Sequence, residues 1–372
     1  MKIVAHAGTL ATALALAAAA RPNKKTPALG AVRIVASEGA LSVTCTSNSI
    51  AITAKTTAEI IEPGKAAIAA DRLASLTSGF TASEKVTIGT DENLATIICG
   101  NSRGRLPLFP WDDLPAALAV DGEIGRIEIS GADCLTLLEP LPAAASEVTR
   151  FCLCGIFWHS IDDRLVAVAT DGVRLIHTCI AAGKFSEDRD LIVPREAAVA
   201  LARLVKGTRP GKLTLRRSRT LLAVDGPAFT FVSRLIDGKY PVYEAVIPPA
   251  SRTSATFVRA ELLSALSRLA AVATVEPPLL VLSFDGSSDL NVFLARQPDD
   301  GSDLIAAEAT GSAKVAVAPS QLAAMLSEFS SMHLRIEAAT GQPIVIRGDG
   351  EKLALISQCA WNFNRNEKEE AA

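Results

Sequence analysis

The stretch at residues 7–20, AGTLATALALAAAA, decides how the rest of the chain is read. Taken alone, Lys2 followed by a short run of Ala and Leu has the form of a secretory leader, too short to span a bilayer. Beside residues 131–146 (GADCLTLLEPLPAAAS) and 259–274 (RAELLSALSRLAAVAT), it reads instead as the opening helix of a repeated module. Leu10, Ala11 and Leu14 superpose on Cys134, Leu135 and Leu138, then on Leu262, Leu263 and Leu266, at the i, i+1, i+4 spacing of one helical face. The offsets are about 124 and 128 residues, a domain-sized period. Cleavage near Ala20 would strip the first module of the helix that covers its sheet, so the integral helix is the preferred reading.

A second helix recurs with the same period, each time after a short apolar strand: AAIA then DRLASLTSGF, LIVP then REAAVALARLVKG, VAVA then PSQLAAMLSEFS. Leu73, Ala198 and Leu322 correspond, as do Leu76, Leu201 and Met325. An alternating strand follows each helix (KVTIGT, KLTLRR, HLRIEA), then a hairpin whose turns carry Asp225-Gly226 and Gly348-Asp349-Gly350. The expected fold is α+β, with two helices plus antiparallel sheet in each of three modules. Their boundaries fall in proline-rich segments, giving residues 1–121, 122–250 and 251–372. Pro140 and Pro142 are expected to shorten the first helix of the central module.

With 49% hydrophobic and 21% charged residues over 372 positions, the chain is globular rather than disordered. The net charge of −3 supplies no overall drive toward nucleic acid or anionic lipid, so any DNA contact must use local basic groups. Aromatics at 5% argue against base-stacking platforms. Seven cysteines, mostly inside apolar runs, suit a reducing, cytoplasmic compartment. Cys152-x-Cys154 has no second pair at zinc spacing and reads as structural. His6, His159, His177 and His333 lie in unrelated contexts, and no phosphate-binding glycine loop is present, so neither metal nor cofactor is expected.

The central module carries ATDGVRL (169–175), LIVPREA (191–197) and SRLIDGKYPVYEAVIP (233–248). In this order and at these separations they resemble the β subunit sliding clamp of bacterial DNA polymerase III. The likeness is dense from about 150 to 250, thinner in the first module (KKTPALGAV and LFPWDDLP) and faint beyond 275. The resemblance implies a head-to-tail homodimer closing into a ring of six modules, with twelve helices facing a hole that surrounds duplex DNA. Its implied partners are the replicative polymerase catalytic subunit and the clamp loader, with no membrane association. A ring held by topology reconciles an acidic chain with DNA work, because it needs few phosphate contacts.

Carried over position by position, the family's partner-peptide cleft falls on Leu153, Thr170, Gly172, Arg174, Leu175 and Pro248, with Leu355 and Ile356 as the second wall. An apolar slot with a few polar guides is what an extended peptide with apolar anchors requires. The sequence departs from the family there: Ser357 and Gln358 stand where Met and Pro are usual, Gln321 where an aromatic is usual, and Val173 where His is usual. The DNA-facing candidates are Arg21, Lys24 and Lys25 after the first helix, and Arg150 with Phe151. Phe151 and Cys152 replace a pair of tyrosines. For the ring contact, Leu106 and Val272 match apolar positions, with Arg103 and Arg105 placed to meet Asp299, Asp300 and Asp303. Gly104 lies near an expected aromatic.

Two other readings compete. A divergent paralogue would keep the modules but alter or lose the peptide cleft. A serine hydrolase is suggested by Gly100-Asn101-Ser102-Arg103-Gly104, which matches G-x-S-x-G after an apolar strand. The nucleophile elbow needs a helix immediately afterwards, and Arg-Leu-Pro-Leu-Phe-Pro does not form one. No active site is expected.

Overall fold

The computed structural model describes all residues except 21–29, 38–39, 184–189, 297, 340, 349 and 362–372. Its six α-helices, among the described residues, are α1 (Ala7–Ala18), α2 (Ala70–Ser78), α3 (Gly131–Leu138), α4 (Arg195–Thr208), α5 (Arg259–Val272) and α6 (Pro319–Ser327). Each helix follows a strand and precedes three or more, so a module is a strand–helix–three-strand unit used twice, with one extra strand, Glu59–Glu62, in the first module. The superposed leucine positions are buried in all three opening helices: Leu10 and Leu14, Cys134 and Leu138, Leu262 and Leu266. α3 ends at Leu138, two residues before Pro140, and the chain continues as a 3₁₀ turn over Leu141–Ala143.

The chain forms two compact units. The first comprises Met1–Leu138, Trp158–Leu165 and Ile180–Asp237. It holds a five-stranded sheet in the order Glu59–Glu62, Lys2–His6, Lys85–Thr90, Leu94–Cys99, Ser102–Pro107. Its eight-stranded sheet runs Gly125–Ile129, Leu213–Arg217, Leu221–Asp225, Phe229–Arg234, Ile50–Thr57, Ala40–Thr46, Ala31–Ser37, Gly64–Ala69. Within that sheet Phe229–Ser233 pairs antiparallel with Ile50–Ala54. The second unit comprises Glu139–Phe157, Val166–Cys179 and Gly238–Ala372. Its strands run in the order Arg174–Ile180, Leu353–Ile356, Ile344–Arg347, His333–Glu337, Ser254–Val258, Ser302–Thr310, Asp289–Leu294, Leu280–Phe284, Ala313–Val317.

Helix packing within a module repeats in detail. The backbone amides of Ala7 and Gly8 donate to the Glu84 and Ala82 carbonyls beyond α2, and a Cβ on Gly8 would lie 2.9 Å from that of Ala82. At the start of α3, a Cβ on Gly131 would lie 2.3 Å from the Pro210 carbonyl oxygen, so only glycine fits without a backbone shift. In the third module Arg259 takes this place, its amide donating to the Met332 carbonyl and its Nε to that of Ser331.

A second repeat was not read from the sequence. After the last strand of each module the chain crosses back and donates one backbone hydrogen bond to the edge strand before the second helix: Phe109 to Ala67 (2.9 Å), Ile236 to Ile192 (3.0 Å) and Cys359 to Ala316 (2.9 Å). The three acceptors occupy the same position in AAIA, LIVP and VAVA. Aromatic residues anchor these straps. In the first, Phe109 and Trp111 pack on Ala31, Ala67 and Leu114, while Arg33 lies 5.0 Å and Lys65 4.9 Å from the Trp111 ring. Arg33 also donates to the carbonyls of Leu114 and Pro115. In the third, Cys359 and Trp361 pack against Leu279, Val281 and Ala316. Trp361→Ala is therefore expected to lower stability by about 1–3 kcal/mol, a part-buried fraction of a full aromatic truncation. Urea unfolding monitored by far-UV circular dichroism measures it.

Candidate functional site

The sequence ATDGVRL folds as a hairpin turn between the strands Arg164–Thr170 and Arg174–Ile180 because its side chains satisfy its own backbone. Asp171 Oδ1 accepts from the amides of Val173 (2.9 Å) and Arg174 (2.8 Å), and its Oδ2 takes Arg174 Nε at 3.0 Å and the terminal guanidinium nitrogen at 2.7 Å. Thr170 Oγ1 donates to the Arg174 carbonyl (2.6 Å) and accepts from the Gly172 amide (3.0 Å). Gly172 sits at φ +93°, where a Cβ is strained. Burial pushes the Asp171 carboxyl up, but the hydrogen bonds from Arg174 and Val173 outweigh it and hold the group below the ordinary carboxylate range. The turn is thus preformed at neutral pH.

The strand after this turn pairs with the last strand of the chain in the register Arg174↔Ile356, Leu175↔Leu355, Ile176↔Ala354, His177↔Leu353. Alternation puts Leu175 and Leu355 on one face and Ile356 on the other. Ile356 is fully buried with Ile176, Ala354, Ile344 and Ile346 in the core of the third module, so it is not a groove wall. Leu175 and Leu355 are themselves buried. Leu153, buried, ends a 3₁₀ turn over Val148–Leu153, its carbonyl accepting from the Ala145 amide at 2.9 Å. Pro248 is half-buried just past the 3₁₀ turn Tyr243–Val246.

That turn supplies residues the sequence reading missed. Val242 and Val246 are 69% and 52% exposed, while Tyr243 between them is buried. Two valines four apart around a buried tyrosine, bounded by Pro241 and Pro248, were the available signal. Val173 is also exposed. Arg150, expected to face DNA, lies at the ATDGVRL turn: a Cβ on Gly172 would be 2.8 Å from its guanidinium. Phe151 is exposed, its ring against Gly238. Arg21, Lys24 and Lys25 lie outside the described residues.

Ser357 continues the register of the last strand by one residue, and Gln358 turns away from it. The Ser357 amide donates to the Val173 carbonyl (2.9 Å), and Gln358 Nε2 donates to the carbonyls of Ala339 (2.6 Å) and Gln342 (2.5 Å), which leads the chain into the Cys359–Trp361 strap. Cys154 Sγ lies 3.1 Å from the Glu147 carbonyl oxygen, a structural contact.

Two strand edges stand apart. Ser102–Pro107 ends the five-stranded sheet, with Arg103 and Arg105 exposed and Gly104 and Leu106 partly covered. A Cβ on Gly104 would meet Leu76 of α2 at 2.9 Å, so a leucine from the helix fills the space beside this strand. In the third module Ser302–Thr310 pairs along one side with Asp289–Phe293, and on the other only through Ala307–Thr310 with Ser254–Phe257. Ser302–Ala306 has no second strand beside it among the described residues, and Leu304 there is 64% exposed. Val272 is exposed and lies against Gly301, next to this edge. Asp300 is exposed, and Asp303 is held by Arg268 at 2.7 Å. Asp299 corrects the sequence reading: it is 8% exposed and holds the segment just past α5, accepting from Thr274 Oγ1 and the amides of Thr274 and Val275, which hold its carboxyl low. Ser102 begins a strand paired with Cys99 in a hairpin, and no helix follows it.

Comparison with known proteins agrees with this architecture. Residues 1–119 match the family model of the DNA polymerase III beta subunit N-terminal domain, and residues 141–242 match that of its central domain, together more than half of the chain. A Pseudomonas putida protein named Beta sliding clamp is 29% identical over 247 residues, covering 66% of this chain and 67% of its own length. A Pseudomonas aeruginosa sliding clamp structure superposes with a TM-score of 0.90 at 22% identity, over 97% of this chain and all of that one. A Bartonella birtlesii clamp bound to griselimycin superposes with a TM-score of 0.89 at 22% identity, over the same shares. The chain belongs to the DNA polymerase III beta subunit family as a divergent member: a sliding clamp, the non-catalytic processivity factor of DNA replication.

Proposed function

We propose that two copies of this chain join head to tail in a cytoplasmic ring around duplex DNA, placed there by a clamp loader, and that the ring tethers the replicative polymerase through the groove at the ATDGVRL turn. One observation carries the ring: the internal repeat uses the same sheet junction twice. Ile50–Ala54 pairs with the last strand of the central module, and Arg174–His177 pairs with the last strand of the third. The equivalent strands left over are Ser302–Ala306 and Ser102–Pro107, one at each end of the chain. Open strand edges are templates for pairing, and an antiparallel pair between copies would satisfy both. Leu76 and Leu106 at one edge and Val272 and Leu304 at the other supply apolar cover, with Arg103 and Arg105 set to meet Asp300 and Asp303. We also assign the module boundaries to the segments near residues 121 and 251.

For DNA, the helices favour the duplex more than the whole chain does. They carry six cations (Arg72, Arg195, Arg203, Lys206, Arg259, Arg268) and four carboxylates (Asp71, Asp133, Glu196, Glu261), against a chain net charge of −3. A small positive excess suits sliding, because each phosphate neutralised adds affinity that would hold the ring in place. Phe151, with Arg21, Lys24 and Lys25 after α1 in the sequence, extends this assignment.

For partners, the groove has Leu175 and Leu355 as floor, Val173, Val242 and Val246 as exposed apolar rims, and Arg150 and Arg174 as polar guides at the turn. Leu153, Thr170, Gly172 and Pro248 shape its margins. An extended peptide with apolar anchors fits this chemistry.

On nicked circular duplex DNA with the cognate loader, the protein should stay bound and leave once the circle is linearised; equal retention on both would exclude a topological ring. Leu106→Asp should raise the dimer dissociation constant at least about tenfold by burying a charge at the junction, read by sedimentation velocity; a dimer of unchanged stability would refute the assigned edge. Val246→Asp should weaken binding of the polymerase catalytic subunit by about tenfold or more at an unchanged unfolding midpoint, since the side chain is exposed, and surface plasmon resonance measures it.

A further inference from the structure

The central strap does more than close a sheet edge. Past Ile236 it carries Tyr240, which is 6% exposed and stacks on Phe157 with ring centroids 4.6 Å apart and planes 4° from parallel. Phe157 in turn meets Tyr243 edge-on at 6.3 Å, and Tyr243 lies 6.2 Å from the His177 ring, which shares a strand face with Leu175. An aromatic stack therefore connects the segment bearing Val242 and Val246 with the floor of the groove. The Tyr240 hydroxyl is not buried idle. It accepts a hydrogen bond of 3.1 Å from the Thr170 backbone amide, at the residue where the strand enters the ATDGVRL turn.

Apart from the Ser357 amide on the Val173 carbonyl, which comes from the neighbouring C-terminal strand side, every other hydrogen bond described above for this turn is internal to it, made by Thr170, Asp171 and Arg174 to residues 170–174. Those bonds fix the shape of the turn and say nothing about its distance from the opposite rim. The Tyr240 hydroxyl ties the turn to the rim segment two residues before Val242. Burial and the stack on Phe157 leave the ring little freedom, so the hydroxyl is a fixed post. Burial also holds the phenol far above its ordinary pKa, so it stays neutral throughout the physiological range.

We propose that Tyr240 is a positioning residue for partner binding: its hydroxyl fixes the Thr170–Arg174 turn relative to the Val242–Val246 rim and so sets the spacing of the groove for an extended peptide. This rests on the groove reading above. Preorganisation of this kind raises affinity by removing an ordering cost on binding. A phenylalanine keeps the ring stack and the apolar volume and deletes only the post.

The test is Tyr240→Phe in the full-length protein, with two readouts on one sample. Hydrogen–deuterium exchange of the segment covering residues 166–175 should speed up, and affinity for the purified cognate polymerase catalytic subunit should fall about threefold to tenfold, the range set by one hydrogen bond. A purely structural role would shift exchange and the unfolding midpoint without moving the affinity. Polymerase affinity within about twofold of wild type, or unchanged exchange in this segment, overturns the proposal. Val246→Asp run in parallel separates the failures. If it weakens binding while Tyr240→Phe does not, the groove stands and the positioning role falls. If neither weakens binding, the groove reading itself is wrong and the positioning role goes with it.

Discussion

The fold depends on the backbone hydrogen bonds at strand edges. A strand with one side open presents amides and carbonyls that must find partners or stay in water, and an open apolar edge invites adhesion to any other chain. Each module here makes two sheets and so several edges. One kind of edge, before the second helix, is closed by a strap from the module's own end, as in Phe109 to Ala67, Ile236 to Ile192 and Cys359 to Ala316. Another kind is closed by the next module, as in Phe229–Ser233 on Ile50–Ala54 and Leu353–Ile356 on Arg174–His177. One such pair of edges, Ser302–Ala306 and Ser102–Pro107, has no closing strand among the described residues, and it is the pair that the proposed second copy would fill.

Under the proposed ring, closure by topology relaxes what the DNA-facing residues must do. α1 and α6 contain no ionisable residue at all, and Arg268 of α5 is already paired with Asp303. A protein that held DNA by affinity alone could not work with so few cations. The charge that is present is concentrated on α4, where Arg195, Arg203 and Lys206 are exposed. This weak, uneven basic surface is consistent with a ring whose retention is mechanical.

The modules and helices were legible because their signals are local. The i, i+1, i+4 leucines, the apolar strand before each second helix and the Pro140 stop all act within a few residues of themselves. The site was legible only as far as the turn, since Thr170, Asp171 and Arg174 satisfy one another within five residues. What failed was tertiary. Ile356 was placed beside Leu355 as a second wall, but adjacent strand residues face opposite ways, and a register that puts Leu355 opposite Leu175 sends Ile356 into the core. Asp299 looked like one of three surface carboxylates, yet the amides of Thr274 and Val275 just past α5 needed an acceptor and took it. Arg150 belongs to the turn across from it, a contact no sequence spacing encodes.

The departure of the last residues from the family pattern has a physical reading in this frame. Gln358 bends the chain by bonding two carbonyls of the Ala339–Gln342 loop, and Cys359 and Trp361 then cover the Leu279, Val281 and Ala316 surface at the module's open edge. In all three modules the strap bond comes within three residues of the last strand: Phe109 after Pro107, Ile236 after Arg234 and Cys359 after Ile356. In the third, the residues just past Leu355 and Ile356 turn to reach Ala316. Ser357 is the last residue in register with the partner strand before this turn. The apolar rim of the groove is correspondingly found on the other side, at Val242 and Val246, whose exposure has no role in the core. The same constraint, a sheet edge that must be closed within a few residues of the last strand, thus shapes the chain after Arg234 and after Ile356 alike.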